Sequence, residues 1–157
     1  NHLEASISIT AVRFASPSFS ARYWRGKPSE KRAYNALMRM KKQYPTGMRW
    51  NDDDWYELRW PEQYPPEGYV AFGACKGFAH MMGEAAFGNR PVKFEYKRTG
   101  KLLTGDVVEL WSHTFIVLGR TGSAITIAEG NYDGKVNWGR VIPLDTLSDT
   151  VAVYTRY

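Results

Sequence analysis

A single cysteine is the residue with the clearest chemical potential. Cys75 is the only cysteine of the 157-residue chain, which excludes an internal disulfide. It lies in the segment 73–88, GACKGFAHMMGEAAFG, whose apolar residues recur at helical spacing before a glycine stop signal at Gly88. Free backbone N–H groups and the positive end of the dipole favour a thiolate in the first turn of a helix. The sequence therefore predicts a helix whose start carries a reactive thiol.

A thiolate nucleophile needs a base within hydrogen-bond reach, and the base needs a third group that orients it. His113 opens a predicted strand, which a turn joins to a second predicted strand that ends in an acidic segment. A three-residue loop at 120–122 would place Glu129 directly opposite His113 and Asn131 diagonally from it. The sequence therefore predicts that one hairpin brings His113 to Glu129 and Asn131.

The order of the remaining elements predicts the fold class. Pro28 and Ser29 mark the entry of a helix that ends by Pro45, and the cysteine helix follows it. Period-two patterns then predict strands, after one possible opening strand at 5–14. These later strands are 92–96, 107–111, 113–118, 124–129 and 151–154. We predict an α+β fold in which N-terminal helices, including the Cys-bearing helix, pack on a C-terminal antiparallel sheet.

Composition and charge limit the partners. Apolar and charged fractions of 43% and 24% are typical of one globular domain, predicted at 5–157, with residues 1–4 interpreted as a cloning remnant. Nine Lys or Arg against one Glu lie between residues 13 and 42, yet no nucleic-acid motif accompanies them. A solvated basic helix face is the simpler interpretation, and weak attraction to an anionic wall polymer is the alternative. We expect a monomer with no nucleic-acid partner and no membrane span.

An acidic run, Asn51-Asp52-Asp53-Asp54, raises the question of a calcium site. It lacks the alternating acidic residues and the closing Glu of an EF-hand loop. A short helix that begins near Asp52 and is capped by this run explains it more simply. We therefore predict no metal and no cofactor.

Several of these residues resemble those of known cysteine hydrolases. The resemblance covers roughly residues 68–142 and concerns the NlpC and CHAP (cysteine, histidine-dependent amidohydrolase/peptidase) families. Like them, the chain has a cysteine at a helix start, Gly105-Asp106 before a strand, and His113 on the next strand. The segment 128–134, AEGNYDG, is similar to the CHAP pattern of a strand that ends in Glu-x-Asn-Tyr, and Trp138-Gly139-Arg140 is similar to a later CHAP segment.

The resemblance implies a papain-like fold and the hydrolysis of amide bonds in peptidoglycan peptides, in the cell wall or outside the cell. Cys75 would be the nucleophile and His113 the base, with Glu129 or Asn131 as the group that orients it. We expect substrate contacts from three aromatic residues: Trp111, Tyr132 and Trp138. Ser112 departs from the small residue, usually glycine, that precedes the histidine in CHAP domains.

Two alternatives remain open at this point. A transglutaminase-like acyl transferase also uses a cysteine at a helix start followed by His and an acidic residue on consecutive strands. A non-catalytic binding module on the same scaffold would use its aromatic loops to hold glycan or protein. The reactivity of Cys75 separates this module from both enzymes, because an unperturbed thiol titrates near 8.5.

Overall fold

The computed structural model describes residues 11–20, 26–65, 68–96, 101–147 and 150–157. These residues form two α-helices, α1 (Glu30–Gln43) and α2 (Ala74–Phe87), and two short 3-10 turns at Pro61–Gln63 and Leu144–Thr146. The strands are β1 (Arg13–Phe14), β2 (Asp54–Glu57), β3 (Ala71–Gly73), β4 (Lys93–Tyr96), β5 (Val107–Leu110), β6 (Thr114–Thr121), β7 (Ala124–Tyr132), β8 (Lys135–Pro143) and β9 (Thr150–Thr155). In this part of the chain, no helix is long and apolar enough to cross a membrane.

The predicted fold class is wrong. The described residues form mostly β structure, with nine strands in two sheets and only two α-helices. One sheet has the order β1-β2-β3, and the other is an antiparallel sheet of six strands in the order β4-β9-β5-β6-β7-β8. Among the described residues before the cysteine helix, α1 is the only α-helix, so they do not form the papain-like arrangement with several N-terminal helices.

The error arises in the aromatic segment before Cys75. The short helix predicted near Asp52 is absent, and β2 begins at Asp54 instead. The carboxylate of Asp54 accepts the backbone N–H of Asn51 at 2.8 Å, so the acidic run closes a turn rather than capping a helix. Residues 5–10 of the strand predicted at 5–14 lie outside the described residues, and in the part that is described β1 covers Arg13–Phe14.

Strand β8 was not predicted, because its polar and apolar residues do not alternate regularly. The register between β7 and β8 shifts where Ala128 pairs with Trp138 and Ile127 with Arg140. Gly139 is the extra residue there, and its φ of 103° suits a glycine in a bulge. One inserted residue moves every later side chain to the opposite face, which hides the period of two.

The β6–β7 hairpin also differs from the predicted register. Thr121 pairs with Ala124, so the loop has two residues, and Gly122 in it has a φ of 58°. The predicted loop at 120–122 is therefore wrong. A bulge beyond Val117 shifts the register again, and Ile116 pairs with Ala128. On that register Glu129 follows as the partner of Phe115, not of His113.

Helix α1 carries the basic segment on its outer side. Ser29 is its N-cap and accepts the backbone N–H of Arg32, as the sequence pattern indicates. Its buried residues are Ala33, Ala36, Leu37 and Met40, whereas its exposed residues include Lys31, Arg32, Arg39, Lys41 and Lys42. The spacing of the apolar residues thus turns the positive charges toward solvent.

Helix α2 is buried on nearly all sides, and this burial positions Cys75. It packs against α1, against β2 and β3, and against the central strands of the six-stranded sheet. Phe78, Met81, Met82 and Phe87 have no exposed surface. Each such side chain contributes about 1.5–3 kcal/mol of hydrophobic free energy. The start of α2 is therefore held between the two sheets.

Two glycines inside α2 give a matched test of this packing. A Cβ on Gly77 would lie 2.3 Å from the carbonyl oxygen of Phe72, a backbone atom of β3. A Cβ on Gly83 would have Val107 Cγ2 as its nearest neighbour at 3.7 Å, an ordinary contact. We expect Gly77→Ala to lower the free energy of unfolding by about 1–3 kcal/mol through overpacking. The control Gly83→Ala should raise it by up to about 1 kcal/mol, because alanine is the better helix former. Urea denaturation measures both, and equal effects would contradict the close approach of α2 to β3.

Candidate active site

The backbone around Cys75 adopts an unusual conformation. Ala74, the first residue of α2, has a φ of 55°, in the left-handed region that alanine rarely adopts. Its carbonyl oxygen accepts the indole N–H of Trp50 at 2.7 Å. The next residue before it, Gly73, has no side chain, and the Trp55 ring lies 2.3 Å from where a Cβ would be. Two tryptophans thus enclose the turn before Cys75, and such backbone strain is often found at functional sites.

The electrostatic environment of Cys75 favours the thiolate. Burial raises the pKa of its thiol, but three hydrogen bonds and the charge of His113 outweigh that effect. The donors are the ring of His113 and the backbone N–H groups of Thr114 and Lys76. The net result is a pKa below the usual value, for a side chain that is only partly buried. The thiol of Cys75 therefore ionises more readily than an ordinary cysteine and is partly accessible.

His113 lies between Cys75 and Glu129. Its Nε2 atom is 2.8 Å from Oε1 of Glu129, so Nδ1 is the ring nitrogen left for the thiol. Burial lowers the pKa of His113, but its hydrogen bonds with Cys75 and Glu129 and their charges raise it to about 9. The arrangement therefore favours an imidazolium between a thiolate and a carboxylate.

Glu129 is fully buried and has several donors. Arg140 donates to both of its oxygens, from Nε at 2.9 Å and from Nη2 at 2.6 Å, and Asn137 donates at 3.0 Å. Burial raises the pKa of Glu129, but His113, Arg140 and Asn137 lower it to about 2. A carboxylate held in this way stays ionised and cannot rotate away from the imidazole.

Arg140 and Asn137 are site residues that sequence reasoning missed. Glu129 and Asn137 are paired neighbours on β7 and β8, so the two polar side chains share one face. The sequence signal was the segment 138–140, which was noted only as a point of resemblance. Identifying Arg140 as a partner of Glu129 requires the β7–β8 pairing, which cannot be read from the sequence because of the bulge at Gly139.

Asn131 makes no hydrogen bond to His113. Its side-chain amide donates to Oδ1 of Asp52 at 2.9 Å, and its φ of 56° turns the chain at the end of β7. The prediction that Asn131 lies diagonally beside the imidazole is therefore wrong. Its position ties the acidic turn at 51–54 to the strand that carries Glu129.

We expect Asn131→Ala to affect stability more than catalysis. The variant loses the bond to Asp52 and places alanine in the left-handed region, which should lower the free energy of unfolding by about 1–3 kcal/mol. Turnover should stay within about threefold, since no hydrogen bond to the base is lost. Asn131→Gly is the control, because glycine tolerates the positive φ. Steady-state rates and urea denaturation measure both effects, and a rate loss above that of Glu129→Gln would refute this placement.

The three predicted substrate contacts lie in different environments. Trp111 is 80% exposed, two residues before His113. Tyr132 is also exposed, and the guanidinium of Arg140 lies 4.8 Å from its ring centroid. Trp138 is buried, packs on Phe78, and donates its indole N–H to the carbonyl of Tyr44 at 2.7 Å. Trp111 and Tyr132 can meet a substrate at the surface, whereas Trp138 is a core residue, contrary to the prediction.

Comparison with known proteins gives the fold only. No protein-family model matches the chain, and no curated protein matches it. One solved structure, described as the crystal structure of Ly7917, is similar with a TM-score of 0.52 and 15% sequence identity. The similarity covers 82% of this chain, which spans 62% of the length of that protein. At this identity the likeness concerns the path of the backbone and not the chemistry.

Proposed function

We propose that this protein is a cysteine-dependent hydrolase of amide bonds, with Cys75 as nucleophile, His113 as general acid and base, and Glu129 as the orienting group. The observation that carries the proposal is that the His113 ring lies between two groups: the Cys75 thiol, whose pKa it lowers, and the buried Glu129 carboxylate, which its Nε2 contacts at 2.8 Å. A nucleophile, a base and an orienter in this order are the elements of covalent acyl chemistry.

The reaction follows from the protonation states. The Cys75 thiolate attacks the amide carbonyl carbon, an S–C bond forms, and the Nδ1 proton of His113 passes to the leaving amine as the C–N bond breaks. Neutral His113 then removes a proton from water, which attacks the thioester. The S–C bond breaks, a carboxylic acid leaves, and the thiolate–imidazolium pair is restored. The backbone N–H of Cys75, in the first helical turn and without an intrahelical acceptor, can stabilise the oxyanion.

The proposed substrate class is the peptide part of peptidoglycan, reached in the cell wall or outside the cell. This step rests on the resemblance of the residue pattern to CHAP and NlpC enzymes, and the papain-like fold plays no part in it. Exposed aromatic rings at Trp111 and Tyr132 beside the site are suitable for contact with such a polymer.

The test is digestion of purified peptidoglycan with the wild-type protein, followed by mass spectrometry of the released fragments. We expect new amino and carboxyl termini at one type of amide bond, and none with Cys75→Ala. A product joined to an added primary amine would indicate acyl transfer rather than hydrolysis. Intact peptidoglycan together with intact synthetic stem peptides would contradict the proposal.

A further inference from the structure

The outer edge of β3 leads directly to the nucleophile. β3 pairs with β2 on one side and is the edge strand of its sheet. Among the described residues no strand pairs with its other side. Cys75 lies two residues beyond the last residue of β3, Gly73. A chain that added to this edge would therefore be directed toward the thiol.

The hydrogen bonds of β2 and β3 show which backbone groups face this edge. The carbonyl of Val70 accepts the N–H of Leu58 at 2.8 Å. Hydrogen-bonded and non-bonded pairs alternate in an antiparallel ladder, so the next bonded pair is Phe72 with Tyr56. Ala71, which lies between Val70 and Phe72, therefore has its N–H and its carbonyl turned away from β2.

The hydrogen bonds between β2 and β1 show that the N–H of Gly73 also faces the free edge. The carbonyl of Trp55 accepts the N–H of Ala15 at 2.8 Å, so the backbone groups of Trp55 point toward β1. Gly73 is the partner of Trp55 in the ladder, and its N–H must point to the free edge. Both Ala71 and Gly73 are partly exposed. The edge thus offers two N–H donors and one carbonyl acceptor within three residues.

Because Gly73 has no side chain, the Trp55 ring packs directly over this edge strand. The Trp55 ring is 2.3 Å from the Cβ position of Gly73, so the indole covers the glycine. Trp55 itself is half-buried, and its ring extends toward the free edge. On a sheet, residues directly opposite one another share a face. A residue lying opposite Gly73 would therefore place its side chain against the indole.

We propose that the free edge of β3 binds the acyl part of a peptide substrate as an added parallel strand. This proposal rests on the proposed function, because it is Cys75 that attacks the end of the bound segment. In parallel pairing, the N–H of Ala71 donates to the carbonyl of the peptide residue before the one opposite it, and the Ala71 carbonyl accepts the N–H of the peptide residue after it. The N–H of Gly73 donates to the carbonyl of that following residue. The peptide then runs toward Cys75 and presents its last carbonyl to the thiolate. The recognised chemistry is an extended peptide backbone.

A chloromethyl ketone series tests this pairing without requiring turnover. Acetyl-trialanine chloromethyl ketone alkylates Cys75 irreversibly, and mass spectrometry follows the reaction. In the proposed register the N–H of its middle residue donates to the Ala71 carbonyl, and the N–H of its third residue points away from β3. We expect N-methylation of the middle amide to slow alkylation at least about tenfold, because it removes one hydrogen bond and introduces a steric clash. N-methylation of the third amide is the control and should change the rate less than about threefold.

Variants of Ala71 test the same contact from the protein side. Ala71→Pro removes the outward N–H and leaves the β2–β3 ladder intact, because proline is tolerated where its nitrogen faces a free edge. We expect it to slow alkylation by the unmodified probe by about three- to tenfold. Ala71→Val keeps the N–H and should therefore react faster than Ala71→Pro. The rate with iodoacetamide, which has no peptide backbone, should be the same in all three proteins.

The outcomes distinguish this inference from the proposed function. Fast iodoacetamide alkylation with equal rates for both N-methylated probes would overturn the β3 edge as a binding site and leave the cysteine chemistry intact. Slow iodoacetamide alkylation would overturn the proposed function, and this inference would fall with it. Selective loss at the middle amide supports the parallel register, and selective loss at the third amide contradicts it.

Discussion

Replacing Cys75 with alanine is expected to remove hydrolytic activity by at least about a thousandfold, because no other group in the site can form the covalent intermediate. The loss should appear in rate rather than in stability. Cys75 is partly exposed, and removing its sulfur leaves no buried cavity, so the free energy of unfolding should change by less than about 1 kcal/mol. Release of peptidoglycan fragments and urea denaturation measure the two quantities.

Cys75→Ser is the matched control for this prediction. Serine has nearly the same shape, but its hydroxyl does not ionise in this range and cannot form an ion pair with His113. We expect it to be as inactive as the alanine variant. Activity that survives in both variants would show that the cysteine is not the nucleophile.

Replacing Glu129 with glutamine is expected to slow turnover by about ten- to a thousandfold. The carboxylate accepts from Nε2 of His113 at 2.8 Å and is one of the groups that raise the pKa of His113 to about 9. Without its charge the pKa of His113 falls, so the imidazolium is lost at a lower pH. The alkaline limit of kcat/KM should therefore move toward neutral pH, and a pH–rate profile measures the shift.

Asn137→Ala is the control for the Glu129 prediction. It removes one hydrogen bond to the Glu129 carboxylate and leaves the charge and the Arg140 contacts in place. We expect a rate loss of less than about tenfold and an alkaline limit close to that of the wild type. An unmoved pH profile in Glu129→Gln, with turnover unchanged, would exclude Glu129 as the group that orients His113.

Local sequence patterns predicted the elements that carry the site. Ser29 and Gly88 mark the boundaries of α1 and α2, because helix ends depend on nearby residues. The six-stranded sheet contains the strands expected from the period-two segments. These patterns placed Cys75 at a helix start, where the structure has it. They made His113 the first residue of a strand, whereas β6 begins one residue later, at Thr114.

What could not be predicted depends on long-range pairing and on inserted residues. The fold class was misjudged because β2 and β3 are short, aromatic and stabilised mainly by each other and by α2. The hairpin register was misjudged because the loop has two residues instead of three and a bulge beyond Val117 shifts the pairing of β6 with β7. Glu129 nevertheless contacts His113, but through a different register and with Arg140 as an unforeseen partner. Asn131, two residues along the chain from Glu129, is bonded to a turn that the sequence interpretation took for a helix.

The pH dependence of Cys75 alkylation by iodoacetamide tests most directly whether a thiolate–imidazolium pair exists. The chain has one cysteine, so the reaction has a single site. We predict rapid alkylation at neutral pH with a midpoint well below the 8.5 of an ordinary thiol, and a midpoint displaced upward in His113→Ala. A midpoint near 8.5 in both proteins would contradict the pairing of Cys75 with His113.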